Sequence, residues 1–289
     1  MAEPPQANGE HAEQQAAAAA ASDAASSKGN LERAGHVLFR FRSLTPLPLL
    51  AVALPLLWQG RGSVAPLWLV SGLLLCLAGQ TLRAWVLGQV RDGTSGQNEK
   101  LIAVALNTHG PYAHARNPLY LGNLGITLGL CVIAHEPIVL ALAAALFFLQ
   151  YRAIIAVEEA FLGARFGAAY AAYVAKVPRF WPRLHATLLA AQEAAAEPEG
   201  RPSFSWARVL RKEHNPLAAW LLLALLLTGL DRGLPLWRAG ARLSLGALGL
   251  WQHALGSTLV VALWLAAKAW KHQWLSGGFA ADLRRRLGR

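Results

Sequence analysis

Six apolar segments, near residues 44 to 58, 64 to 88, 119 to 134, 137 to 157, 217 to 230 and 244 to 268, dominate this chain of 289 residues. The hydrocarbon core of a bilayer takes about 20 apolar residues of helix, and within it each backbone polar group must find its partner inside the segment. The pattern predicts an all-α fold, a polytopic membrane bundle of about six transmembrane helices. Three segments are short. The third has sixteen residues, which rise about 24 Å at about 1.5 Å each, so it must borrow flanking residues, thin the bilayer or sit among protein neighbours. Composition points the same way, with 55% hydrophobic and 15% charged residues, where soluble domains carry roughly a quarter charged. A formal charge of +11 would suit nucleic acid, but the basic residues are interleaved with apolar runs. Membrane lipids with anionic headgroups are therefore the expected partners, and nucleic acid is not.

The distribution of Lys and Arg sets an expected orientation, because positive charge is retained on the cytoplasmic side. If all six segments cross, 23 of the 27 basic residues share the face that holds both termini, and four, Arg61, Arg232, Arg238 and Arg242, lie on the other. Both termini are expected in the cytoplasm of a cell inner membrane or its equivalent. Residues 1–34, with the alanine run Ala16 to Ala21, read as a disordered tail, and they lack the basic start and apolar stretch of a secretory signal. A core of four spans follows over 35–184. Its stretch from Glu158 to Lys176 reads as an interfacial helix after the fourth span. Residues 185–205 read as a linker, and 206–289 as a two-span extension with a basic tail.

Two polar clusters fall on the same predicted face, Gln97 to Tyr120 entering the third segment and Arg152 to Pro182 leaving the fourth. Their meeting would make a site. Each piece also has a structural reading. Asn117 with Pro118, and Asn215 with Pro216, have the form of an N-cap followed by a first-turn proline. Gly125 and Gly129 form a small-xxx-small pair that allows close helix packing. Cys76 and Cys131 lie inside apolar runs, and His109, His114, His253 and His272 have no metal-ligand spacing, so no metal is expected. The adjacent Glu158 and Glu159 at the end of a membrane helix cost free energy unless paired, solvated or bound to a cation. Arg152, seven residues before Glu159, shares its helical face, whereas Glu158 points about 100° away. A functional carboxylate and a solvated helix end both remain open on residue chemistry.

Between about Gln97 and Pro182 stand Gly110 and Tyr112, then Arg116, Asn117, Pro118, Tyr120 and Gly122, and after them Glu158 and Glu159 ahead of Phe166, Gly167, Tyr170, Tyr173, Val177 and Pro178. In these residues, in this order and at this spacing, the sequence resembles the isoprenylcysteine carboxyl methyltransferase and phospholipid N-methyltransferase superfamily of integral-membrane enzymes. The resemblance implies S-adenosylmethionine bound at the cytoplasmic mouth of the bundle, with a lipophilic acceptor entering from the lipid. It would place Gln97, Val104, Ala105, Leu106, Asn107, Tyr112, Asn117, Pro118, Leu119, Tyr120 and Glu158 around that cofactor. Glu159 or Arg152 would handle the acceptor's proton or charge. A sulfonium cation is attracted to a carboxylate and to aromatic faces, which Glu158, Tyr112 and Tyr120 could supply.

Two departures bear on the substrate. Asn117 stands where the family commonly has His, and Asn is a familiar variant in its bacterial members. Enzymes that esterify a prenylcysteine carboxylate hold it with an Arg four residues before the position of Glu158, where this chain has Ile154. A lipid amine, hydroxyl or other acceptor is expected in its place. Two other functions fit a bundle of this kind, an NADPH-dependent sterol-reductase-like membrane enzyme and a non-catalytic lipid-binding or scaffolding protein.

Overall fold

The computed structural model describes residues 33–35, 37–38, 51–52, 55–56, 65–90, 103, 105–182, 203–242 and 244–286, with side chains placed up to residue 272. Almost all of the expected N-terminal tail, the first apolar segment and the linker lies outside the described residues, as do Gln97 and Val104. The described residues form helices and no strand. They are α1 (Pro66–Gln89), a single 3-10 turn (Gly110–Ala113), α2 (Pro118–Ala134), α3 (Pro137–Lys176), α4 (Trp206–Arg238) and α5 (Trp251–Arg286). Helices α1, α3, α4 and the Trp251–His272 part of α5 are long and apolar enough to cross a membrane, and α2 is a shorter apolar helix. This is the helical bundle of an integral membrane protein.

The short α2 is accommodated by protein neighbours. Its glycines lie against those of α1 so closely that a Cβ on Gly79 would stand 2.5 Å from the Gly122 carbonyl oxygen, and one on Gly72 would stand 2.6 Å from that of Gly129. Without a hydrophobic driving force between helices in lipid, such backbone contact supplies the packing. Between them Cys76 is fully buried and its thiol reaches the Ile126 carbonyl at 3.5 Å. The apolar core continues through Ile133 and Ala134 of α2 to Trp220, Ala224 and Leu227 of α4.

Two boundaries differ from the sequence reading. Asn215 and Pro216 do not open a helix: α4 starts nine residues earlier, at Trp206, with Ser205 accepting the Arg208 N–H at its N-cap, and Pro216 lies inside it. A proline's lost hydrogen bond is tolerable in a membrane helix where neighbours compensate. The interfacial segment is also not a separate helix from Glu158. Helix α3 runs unbroken past the glutamates and kinks at Gly167, whose backbone (φ 50°, ψ −122°) is closed to ordinary L-residues. From Pro137 to Glu158 the rise is about 32 Å, one hydrocarbon thickness. A span counted from Pro137 would therefore end at Glu158 and Glu159.

Chain direction places the functional elements at one end of the bundle. The Gly88 carbonyl, at the end of α1, accepts the Ser205 N–H at 3.0 Å and the Arg208 guanidinium at 2.7 Å, so α4 begins where α1 finishes. The 3-10 turn, the start of α2 and the glutamates of α3 lie at that same end.

Candidate functional site

The two polar clusters meet. The Arg116 backbone N–H donates to the Pro178 carbonyl at 2.9 Å, and the Asn117 side-chain amide donates to the Arg179 carbonyl at 3.0 Å. The Tyr173 hydroxyl donates to the Tyr112 carbonyl at 2.7 Å. The loop before α2 is thus held against the chain beyond the Gly167 kink. Tyr170, Tyr173 and Val177 form a small core there, onto which Leu106 packs from the same loop.

Around this seam the charged groups are arranged in two steps. The Tyr120 hydroxyl, at the first turn of α2, donates to Oε1 of Glu158 at 2.6 Å. Glu159 is gripped by two guanidiniums: Arg116 Nη1 approaches at 2.8 Å, and Arg179 reaches it through Nε at 3.2 Å and also through Nη2. Its partners are therefore Arg116 and Arg179 and not Arg152, which is exposed about two turns earlier on the helix. Glu159 thus ties the loop before α2 to the chain beyond the end of α3. Asn117 does occupy the N-cap position with Pro118 first in the helix, but its side chain makes no capping bond and faces Arg179.

Tyr112 sits in the 3-10 turn, and Gly110 opens that turn with a positive φ of 61°. Burial first, and the nearby Glu158 carboxylate second, push the Tyr112 phenol above its ordinary range, so it stays neutral. Below Glu158 the site has an apolar floor: Ile154 and Ile155 are almost fully buried against Tyr120, with Tyr151 and Phe180 packed beside them. Of the expected cofactor residues, Tyr112, Asn117, Pro118, Leu119, Tyr120 and Glu158 share this end of the bundle. Ala105, Leu106 and Asn107 lie half-buried on the loop that leads to it.

One group of residues went unnoticed in the sequence. Glu213 of α4 is 3% exposed and takes the Arg83 guanidinium of α1 in a bidentate pair, Nε at 2.9 Å and Nη2 at 2.6 Å. Gln80 adds a hydrogen bond to Glu213 at 2.7 Å and accepts one from the Trp220 indole at 2.9 Å. The only hint of it in the sequence was two opposite charges one to two turns inside separate apolar helices.

Fold and site together describe a helical membrane protein with a cluster of carboxylates and tyrosines at the end of the bundle where α1 finishes and α4 begins. Residues 67–169 match the PEMT family, described as phospholipid methyltransferase, and the resemblance read from the motifs holds over this segment. The chain is also 35% identical over 127 residues to the cobalt-zinc-cadmium resistance protein CzcN of Cupriavidus metallidurans. That alignment covers 44% of this chain and 54% of CzcN, so the chain spans about half the length of this curated relative. No solved structure matches. The family match supports a methyltransferase-like membrane protein.

Proposed function

We propose that the chain is an integral-membrane methyltransferase that moves the methyl group of S-adenosylmethionine to a lipophilic acceptor at the cytoplasmic mouth of its bundle. The observation that carries this reading is the hydrogen bond from Tyr120 to Glu158, which joins the two sequence clusters across the seam. S-adenosylmethionine, when bound, supplies a methyl group already activated by a positively charged sulfur. The residues present fit such a group: Glu158 offers the carboxylate, and the rings of Tyr112 and Tyr120 offer faces to a cation. Because Tyr112 stays neutral, the attraction rests on Glu158, and Tyr120 fixes the direction in which that carboxylate points.

The rest of the chain aligns and encloses. Proximity and exclusion of water account for most of the acceleration when the donor is already activated. Glu159 ties the Arg116 loop to Arg179 and so closes one wall. Ile154 leaves the floor apolar where a carboxylate-gripping Arg would stand, which favours an acceptor presenting an amine or hydroxyl from the lipid phase over a prenylcysteine carboxylate. Arg152, exposed about 9 Å deeper than Glu158 along the helix, can extend its stem toward the headgroups, where it contacts lipid phosphate.

Calorimetric titration of the purified protein with S-adenosylhomocysteine is the test. Binding is expected, and Glu158→Gln should weaken binding of S-adenosylmethionine, the form that carries the cation, by more than about tenfold, or about 1.4 kcal/mol. Unchanged binding in Glu158→Gln would remove the cation-holding role, and no heat with wild type would favour a scaffold. Lipid extraction after incubation with radiolabelled methyl donor would identify the acceptor class. CzcN is named for cobalt, zinc and cadmium resistance; if this chain shares that setting, a deletion strain loses tolerance to those cations on plates.

A further inference from the structure

The buried pair Arg83–Glu213 is connected to the candidate site by an unbroken series of contacts. Arg83 uses Nε and Nη2 on Glu213, which turns its Nη1 toward the side-chain oxygen of Asn123 on α2. A guanidinium can only donate, so the Asn123 oxygen must face Arg83 and its NH2 must face away. That NH2 donates to the Tyr151 hydroxyl of α3 at 2.8 Å. The Tyr151 ring lies tilted against Tyr120, with centroids 4.5 Å apart, and against Phe147 at 4.2 Å. Tyr120 in turn donates to Glu158. Each group contacts the next, and the series begins on α4.

We propose that Glu213, carried outside the segment that matches the methyltransferase family, is a positioning residue for the Tyr120–Glu158 site, acting through Arg83, Asn123, Tyr151 and Tyr120. The inference rests on the reading that this site holds the methyl donor. It gives the C-terminal extension a part in the reaction: without the Glu213 carboxylate the Arg83 guanidinium has no fixed direction, the Asn123 amide can turn over, and the Tyr151–Tyr120 stack loses its register. Glu213 is well placed for this because its two oxygens take three donors, from Arg83 and Gln80, and so hold Arg83 rigidly.

The test uses the full chain in lipid nanodiscs, with S-adenosylhomocysteine affinity and unliganded melting temperature read side by side. Replacing both partners together, Arg83→Met with Glu213→Leu, removes the pair without stranding a buried charge, so folding should survive. The double replacement should keep the melting temperature within a few degrees and weaken S-adenosylhomocysteine by about fivefold, the scale of one lost neutral hydrogen bond. Tyr151→Phe, which keeps the stack and the ion pair, should weaken it by a similar factor. Combining the two should add little, because residues in one series are coupled. An unchanged affinity in the double replacement, or losses that simply multiply, would overturn the proposal. Should the double replacement not fold, Tyr151→Phe and Asn123→Leu still decide: affinity within twofold of wild type in both would overturn it. A wild type that binds no S-adenosylhomocysteine would refute the donor-binding reading itself, and this inference with it. Binding by wild type with unaltered variants would refute the inference alone.

Discussion

At the scale of single residues, the two adjacent glutamates illustrate how environment divides one chemical group into two roles. Glu158 accepts a hydrogen bond from the Tyr120 hydroxyl. Glu159 is paired with two guanidiniums, one largely buried and one half-exposed, with side-chain exposures of 12% for Arg116 and 49% for Arg179. The two arginines should therefore differ in weight. Arg179→Met removes an interaction that water screens and should cost less than about 1 kcal/mol. Arg116→Met withdraws the sheltered partner from a carboxylate only 16% exposed and should cost about 2 kcal/mol or more. Thermal unfolding of the two variants in detergent, compared with wild type, checks the order. The motifs made Tyr120 and Glu158 legible in the sequence because both lie where an apolar segment meets a polar cluster. The partners of Glu159 were not legible, since helical periodicity relates Arg152 to Glu159 along one helix and says nothing about a loop folding back across it.

At the scale of elements, the spans could be read because apolar length alone defines them, whereas their ends depended on tertiary contacts. Asn215 and Pro216 have the local chemistry of a helix start, yet α4 continues through them because Glu213, just before, is drawn into the bundle by Arg83. In the sequence Gly167 is one letter of a motif, and in the structure it is the kink of α3. A Cβ at Gly167 meets nothing within 4 Å, so Gly167→Ala isolates the backbone's contribution. It should destabilise by about 1–3 kcal/mol, the usual range for a residue forced into a disfavoured φ/ψ region. Because Tyr170 and Tyr173 follow within two turns, S-adenosylhomocysteine affinity should fall as well. The α1–α2 contact makes the opposite demand, for space. Gly79→Leu would drive a side chain into the Gly122 carbonyl and should cost at least about 3 kcal/mol or prevent bundle formation. Leu74→Ala on the exposed face of α1, where Leu74 is 60% exposed, should leave melting nearly unchanged. Differential scanning fluorimetry on the three variants gives the comparison.

At the scale of the whole molecule, every group argued to act on the methyl donor lies at the end of the bundle where α1 finishes and α4 begins. The proposed chemistry therefore depends on which way that end faces. If all six apolar segments cross, the excess of Lys and Arg predicts the cytoplasm for that end, where S-adenosylmethionine would be available. The native thiols are both buried, so the protein offers a quiet background for cysteine labelling. Ala164→Cys lies on an exposed position of α3 just beyond the glutamates, and Ala239→Cys on an exposed position at the far end of α4. An impermeant maleimide should modify Ala164→Cys only in inverted membrane vesicles and Ala239→Cys only in right-side-out ones. The reverse pattern would leave the fold intact but turn the Glu158 site away from its donor. The same result in both orientations would mean that α4 does not cross. Either outcome would count against the charge distribution as the determinant of topology, and the first would leave the methyltransferase reading without a source for its methyl group.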